Sequence, residues 1–474
     1  MPSQTRKKFI AQIGLTGMAL FMQRINAFSK NNLYNLSEST NDNVIYYEKN
    51  SVEYDTLRKG FNKRINKYPQ VIALCKNTNG VVEALQYSKK NNLKITVKSG
   101  GHCMEGFSCI DGGIVINLSL LDKIEWLDNN TISVGPASTL KNIYETTIPK
   151  GKYLPGGSCQ TVAIGGLTLG GGYGLMSRNF GLTCDSLLEA TVVTAEGKIV
   201  NTNEDAELLW ALKGGGNGNF GVVIQMKFEL QKAPATMQSY KFRIKNSTID
   251  IAKDTCKQWF TLSKTLPDTC FSAFIFNGRT TYILLTNIGK NNTSVNKFIA
   301  SFKTTSTKFT QGHVLPLSQA LKAYYAEAKP LTFKNASAGL YKSFEEIEPV
   351  IEQVFKLIKE KPGILYQVNT LGGKIQSALL EQKSAFAHRD CFYFSELQAY
   401  WQSDVATSSF LNQFELIQSQ FAAAGIKAQY RNYPDVNFKD WAHLYYGKNL
   451  ERLIAVKNKY DPGNNFGGLQ TLEG

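Results

Sequence analysis

Two nucleophilic side chains, His102 and Cys159, each stand in a glycine-dense run: Ser99-Gly100-Gly101-His102 and Gly156-Gly157-Ser158-Cys159. An imidazole nitrogen and a thiolate are side chains nucleophilic enough to add to an electrophilic ring carbon. Two more runs follow, Gly165 to Gly174 and Gly214 to Gly221. Glycine at this density is costly in backbone entropy. A folded chain keeps it where the backbone turns with positive φ or closely approaches another body. Four such runs between Val97 and Gly221 imply one large ligand met by many backbone amides, and a dinucleotide is the natural candidate.

The usual dinucleotide frames do not fit. A Rossmann fingerprint needs a strand directly before the glycines, a helix directly after, and an acid at the end of the next strand. Gly165 to Gly174 follows a loop, and Gly214 to Gly221 follows a helix. There is no GxxxxGK[ST]. The ligand must instead lie along extended loops whose amides form an anion-binding nest.

The elements that position these runs follow from periodicity. Val71–Cys75, Lys94–Lys98, Gly113–Leu118 and Thr131–Val134 read as strands, with a helix over Val81–Asn91 capped from Asn77-Thr78-Asn79-Gly80. The first two strands and this helix make a βαβ unit. A short helix is expected at Leu140–Thr147, then a long glycine loop, a strand at Leu188–Thr194, a helix at Asp205–Leu212 and a strand at Phe220–Leu230. Residues 238–330 change character, with strands at Tyr240–Ile244, Ser272–Phe276 and Thr280–Thr286. Amphipathic helices are expected over 345–360, Thr407–Ala424 and Asn449–Lys459. Phe392–Trp401 is aromatic and strand-like.

The chain has 474 residues, 43% hydrophobic and 19% charged, with a formal net charge of +15. Two or three domains are expected. The basic residues are scattered without interleaved aromatics, which excludes a nucleic-acid surface. Eight cysteines show no CxxC pair, and no second pair accompanies His388 and Cys391, so no structural metal is expected. One or two disulfides remain open, while Cys75, Cys184 and Cys256 read as small core hydrophobes. At the N-terminus, Thr5-Arg6-Lys7-Lys8-Phe9-Ile10, the apolar stretch Ile10–Met22 and Ile25-Asn26-Ala27 make a signal peptide over 1–27, too short to span a bilayer. Its basic region is similar to a twin-arginine export motif with Lys7 in place of the second arginine. An exported protein, periplasmic or secreted, is expected. Residues 28–45 read as a polar linker or arm, and no later run is long enough to span a membrane.

In order along the chain, Lys98–His102, Gly156–Cys159, Gly165–Gly174, Gly214–Val223 and a tail comprising Tyr446–Leu450, Arg452-Leu453, Tyr460-Asp461-Pro462 and Asn465-Phe466 resemble the berberine bridge enzyme-like FAD-linked oxidases. These belong to the vanillyl-alcohol oxidase/p-cresol methylhydroxylase (PCMH) superfamily. The resemblance covers roughly 66–470. It implies an α+β fold: a two-subdomain PCMH-type FAD-binding domain, and a substrate domain whose antiparallel sheet is covered by helices. The implied boundaries are a signal at 1–27, an arm at 28–65, the FAD domain at 66–235, the substrate domain at 236–425 and a returning tail at 426–474.

The resemblance also implies a bicovalent FAD, with His102 bonded to the flavin 8α-methyl group and Cys159 to ring carbon 6. Ser99, Gly100, Gly101 and Cys103 would follow the pyrophosphate, with Gly165, Gly166, Gly170 and Gly174 nearby. Gly221 and Val223 would meet the adenosine side, and Asn465 and Phe466 would close over the ring. The base would be Tyr430 of Tyr430-Arg431-Asn432. A free phenol, with pKa about 10, needs positive charge or hydrogen bonds to act as a base, and Arg431 is a candidate for that charge. Glu396 would be a second base or a substrate ligand. Val162 stands where valine accompanies oxygen reactivity. The chain departs from the family at Cys103, at Met104 (commonly tyrosine) and at Leu167 (commonly a histidine near the flavin N1–C2 carbonyl). The implied reaction is hydride transfer from a sugar or oligosaccharide carbon to FAD, then to O2, giving hydrogen peroxide, by a protein expected to be a monomer. Tyr393 to Trp401 would suit sugar stacking. Alternatives are a secondary-metabolite alcohol or amine as substrate, or a dehydrogenase with another electron acceptor.

Overall fold

In the computed structural model, which describes residues 42–325 and 329–473, the wholly apolar run Val71–Cys75 forms a strand buried at every position. A strand buried on both faces needs cover on both, and this one belongs to a four-stranded sheet. Its members are β1 (Val44–Tyr47), β2 (Val71–Cys75), β3 (Ile95–Lys98) and β4 (Ile114–Asn117), in the order β1-β2-β4-β3. β4 runs parallel to both β2 and β3, and β1 is antiparallel to β2. The helix Thr78–Lys90 joins β2 to β3, and its first turn is capped by Asn77 Oδ1, which accepts the Gly80 N–H at 3.0 Å. The expected polar arm over 28–45 ends early. Val44 and Ile45 open the apolar strand β1, because Val-Ile-Tyr-Tyr offers an edge that β2 can pair with. The signal segment 1–27 and residues 28–41 lie outside the described residues.

A second sheet is antiparallel throughout. It contains β5 (Ile124–Trp126), β6 (Thr131–Val134), β7 (Leu187–Val193), β8 (Ile199–Asn201) and β9 (Val222–Glu229), in the order β5-β6-β9-β7-β8. The stretch expected as one long glycine loop is broken by a short helix, Ile164–Leu169. Ile164 and Thr168, one turn apart, are both buried, and this side of the turn outweighs two helix-weakening glycines.

The third sheet has eight strands, all antiparallel. Its main members are β10 (Thr236–Lys245), β11 (Cys270–Phe276), β12 (Thr280–Asn287), β13 (Lys308–Gln311), β14 (Phe333–Tyr341), β15 (Ile364–Thr370) and β16 (Tyr393–Tyr400). Their order is β13-β10-β12-β11-β15-β16-β14. Helices cover one face. In Glu348–Glu360, Ile351, Val354, Phe355 and Ile358 share a stripe and enter the same core as Phe274, Ala336 and Leu397. The other face turns toward the glycine loops, because side chains alternate along each strand.

The tail then returns to the first sheet. Ile95 N–H donates to Asn465 O (3.1 Å), and Gly467 N–H donates to Ile95 O (3.0 Å). Asp461, fully buried and paired with Lys457 at 2.6 Å, holds the N–H groups of Asn465 and Phe466. Among the described residues no helix is long and apolar enough to cross a membrane. All eight cysteines are free thiols, and Cys75, Cys184 and Cys256 are wholly buried.

Candidate active site

A cavity of about 430 Å³ lies between the glycine loops and the open face of the third sheet. His102 and Cys159 line it, with Ser99, Gly100, Gly101, Cys103, Val162, Gly165, Gly166, Gly174, Gly221 and Val223. Glu396 lines it from the third sheet, and Tyr430 lines it with its oxygen on the Gly172 and Tyr173 amides. Segments about 330 residues apart in sequence thus meet in one chamber.

His102 is held on two sides. The Phe61 ring stacks on its imidazole with centroids 4.3 Å apart, and Thr161 Oγ1 lies 2.9 Å from Nε2. Burial lowers its pKa to about 4, so at neutral pH the imidazole is uncharged and keeps a lone pair. Burial pushes the Cys159 thiol up to about 11, with the Glu396 carboxylate adding to the rise. Val162, three residues on, donates its N–H to Cys159 O (3.2 Å) and accepts from Leu140 N–H (2.9 Å).

Two expected contact residues lie off the cavity. Gly170 abuts Asn432: a Cβ there would fall 2.0 Å from Asn432 Oδ1, so its smallness serves that packing. Asn465 turns to Asp461, donating to its carboxylate from both N–H (2.8 Å) and Nδ2 (2.9 Å). Its neighbour Phe466 does line the cavity, beside Ile95, Thr96 and Val97, and is buried in the core of the first sheet. Gly174 lines the cavity, but its missing side chain is required by the Gly156 carbonyl, which a Cβ would approach to 1.8 Å.

Tyr430 Oη receives three donors: Gly172 N–H at 3.0 Å, Tyr173 N–H at 3.1 Å and Asn432 Nδ2 at 3.2 Å. Burial raises the phenol, and these hydrogen bonds work against the rise. Arg431 does not supply the expected charge. Its guanidinium points to Tyr446 Oη (3.2 Å) and Gln470 O (3.3 Å) and lies over the Phe107 and Tyr445 rings. Tyr430 to Tyr433 form a turn closed by Tyr433 N–H donating to Tyr430 O (3.0 Å), and Arg431 at its second position is carried away from the Tyr430 ring.

Glu396 sits on β16, 5% exposed, with its carboxylate accepting from Asn335 Nδ2 (3.0 Å) and Asn369 Nδ2 (3.5 Å). Burial raises its pKa to about 7, and the amide donors hold that rise back. Gln367 pairs with Glu396 in strand register, and Gln398 pairs with Asn335. All five line the cavity. Sequence reasoning found only Glu396. The signal for Gln367, Asn369 and Gln398 was the alternation Gln367-Val-Asn369 and Glu396-Leu-Gln398, polar at every second position of an apolar strand. The aromatic run Tyr393 to Trp401 is mostly core. Trp401 stacks on Phe410 (5.2 Å) and Tyr393 packs on Trp259, leaving Tyr400 as the ring that faces the chamber.

The chamber's chemistry fits FAD. Thr96 Oγ1 and Asn217 Oδ1 line it, are buried and have no hydrogen-bond partner in the protein. Unsatisfied buried polar atoms call for a polar ligand, and the hydroxyl and amino groups of a dinucleotide can serve both. Among the described residues no group of three or more His, Cys, Asp or Glu could hold a metal ion.

Comparisons with known proteins bear on the domain and the fold. Residues 69–203 match a family model described as FAD binding domain, and residues 429–471 match one described as berberine and berberine like. The FAD-linked oxidoreductase YgaK of Bacillus subtilis is 28% identical over 435 residues, covering 89% of this chain and 94% of that protein. Glucooligosaccharide oxidase of Sarocladium strictum is 27% identical over 469 residues, covering 91% and 92%. Among solved structures, BBE-like 1 of Physcomitrella patens superposes with a TM-score of 0.83 at 23% identity, covering 91% of this chain and 97% of that one. A chitooligosaccharide oxidase gives 0.82 with the same identity and coverage. The fold is thus the α+β fold of the PCMH-type FAD oxidases, and the chain is an FAD-linked oxidoreductase that carries an FAD binding domain and a berberine-like segment and is similar over most of its length to berberine bridge enzyme-like proteins.

Proposed function

We propose that this enzyme oxidises a hydroxyl-bearing carbon of a sugar or oligosaccharide and passes the electrons to O2, releasing hydrogen peroxide. One observation carries the reading: Asn335, Gln367, Asn369, Glu396 and Gln398 form a polar patch on the sheet wall of the cavity. Amide and carboxyl groups supply both donors and acceptors, which suits a neutral polyol. Asn335 Oδ1 is buried without a partner and accepts a substrate hydroxyl.

FAD, when bound, supplies the hydride acceptor and the route by which electrons reach oxygen. His102 and Cys159 hold it by two covalent bonds. Thr161 occupies His102 Nε2, which leaves Nδ1 for the bond. Tyr430 takes the substrate's hydroxyl proton, and Glu396 orients the substrate by accepting a second hydroxyl. Hydride and proton leave together, so the alcohol becomes a carbonyl and O2 becomes hydrogen peroxide. Val162 stands at the cavity wall beside Cys159 and leaves room for oxygen. The signal over 1–27 directs the protein out of the cytoplasm, and it acts as a monomer.

A panel of mono- and oligosaccharides, scored by peroxide release and oxygen uptake, tests this. Turnover of an artificial electron acceptor without peroxide would point to a dehydrogenase, and Val162→Leu should push the wild type toward that behaviour. Acid precipitation tests the covalent bonds. Yellow colour should stay with the pellet in wild type and in either His102→Ala or Cys159→Ala, and leave it in the double variant. A second reading has its own support. Phe271, Ile275, Leu284 and Leu365 form an apolar strip on the same sheet face, and a monolignol oxidoreductase of Arabidopsis thaliana is 26% identical over 440 residues. Aromatic alcohols belong in the same panel.

A further inference from the structure

We propose that the glycine turn Gly170–Gly174 contributes an oxyanion hole for the Tyr430 phenolate, in which the N–H groups of Gly172 and Tyr173 act with Asn432 Nδ2. The inference rests on the reading of Tyr430 as the base. Part of the run then serves the base, beyond lining the cofactor chamber.

The donor count carries the argument. A neutral phenol oxygen has two lone pairs and a proton of its own to place. Tyr430 Oη is met by three donors, at 3.0, 3.1 and 3.2 Å. Three donors match the three lone pairs of a phenolate. The backbone is shaped for this. Gly171 and Gly172 have φ of +115° and +87°, a region that L side chains rarely adopt. That conformation aims two successive amides at one point, as in an anion-binding nest. Asn432 is itself fixed, because Nδ2 also donates to Leu167 O at 2.9 Å.

Among the described residues no cation shares the task. The titratable groups packed around the Tyr430 ring are Tyr173, Tyr433, Cys184 and Cys391, and burial pushes all four up, so they stay neutral at pH 7. Arg431 is turned to Tyr446, and Arg389 is paired with Asp185 at 2.5 Å. Glu396 lines the same chamber and disfavours a second anion. Oriented dipoles therefore supply the stabilisation, as they do for developing oxyanions elsewhere.

The test places 3-fluorotyrosine at position 430 in the full-length holoenzyme and follows its 19F resonance against pH. No substrate is needed, so the hole is read separately from the catalytic role. Asn432→Ala should raise the titration midpoint, lowering the phenolate-to-phenol ratio about tenfold at a given pH for one lost donor. Replacing residue 173 by its α-hydroxy acid, which puts an ester oxygen in place of the N–H, should do the same with the Tyr173 side chain kept. It also covers the case in which Asn432→Ala does not fold. Midpoints unchanged in the variants that fold would overturn the hole. Shifted midpoints with Tyr430→Phe still fully active would keep the hole and remove Tyr430 as the base.

Discussion

The cavity has two walls built on different principles. One is made of glycine loops and presents backbone. The other is the open face of an eight-stranded sheet and presents side chains. A backbone wall tolerates few residue types, since a Cβ at Gly174 would strike the Gly156 carbonyl at 1.8 Å. A side-chain wall tolerates many, because Asn335 or Gln367 can change without moving the strand. The first wall suits a cofactor shared by a whole family, and the second suits a substrate that differs among members. Tyr430 stands at the seam, with its ring against Phe394 on the sheet side and its oxygen on the loop amides.

The seam should give the largest effect. Tyr430→Phe is expected to lower kcat/KM by about 10³-fold, within the usual range for a lost general base, with flavin content unchanged in the visible spectrum. Activity within tenfold of wild type would remove the tyrosine from that role. On the backbone wall, Gly174→Ala should cost roughly 3 kcal/mol or more of stability through overpacking against an unyielding carbonyl. Thermal unfolding and flavin-to-protein ratio should fall together. A stable, fully flavinylated Gly174→Ala protein would erase the distinction between the walls.

Glu396 sharpens the contrast through pH. Its folded pKa, about 7, is raised above the carboxylate reference of 4.5. The stability it contributes is complete below pH 4.5 and is lost as pH rises through 7. By linkage the loss is on the order of 3 kcal/mol. Glu396→Gln should flatten that part of the stability profile and gain on wild type above pH 7, as differential scanning calorimetry across pH 4–8 would show. The smallest effect belongs to Asn335→Ala. It removes one hydrogen-bonding group and should raise the sugar KM about five- to tenfold, near 1 kcal/mol, with melting temperature and flavin content held. A matching fall in kcat at unchanged KM would mean that Asn335 acts through Glu396 rather than on substrate.

The same contrast explains what could be read beforehand. His102 and Cys159 were visible because glycines hedge them in, and the loops around them were visible because only glycine fits. The chamber contains both. Gly170 and Asn465 were misplaced for a related reason: a motif marks where a residue is constrained without saying by what. Gly170 is constrained by Asn432 and Asn465 by Asp461. Arg431 could not be excluded from Tyr430 without the loop's geometry. On the sheet wall, Asn335, Gln367, Asn369 and Gln398 sit on three strands that register sets side by side, so that Asn335 bonds to Glu396, 61 positions away, and no local pattern states that pairing. The strand β1 was missed because the polar residues before it were extended two positions too far.

The tail that crosses back to β3 has a consequence for how the enzyme is made. Ile95, at the start of β3, is flanked by hydrogen bonds to Asn465 and Gly467, and Leu472 N–H closes on Asn219 Oδ1 at 3.1 Å. Chains emerge N-terminus first, and the early sheets can form while synthesis continues. The chamber cannot form until the segment Phe466–Thr471, which lines it, has followed the two early sheets out. Cofactor capture therefore waits until synthesis has passed this segment, and a premature stop before Leu472 yields a polypeptide carrying His102, Cys159 and Tyr430 with no closed site to join them.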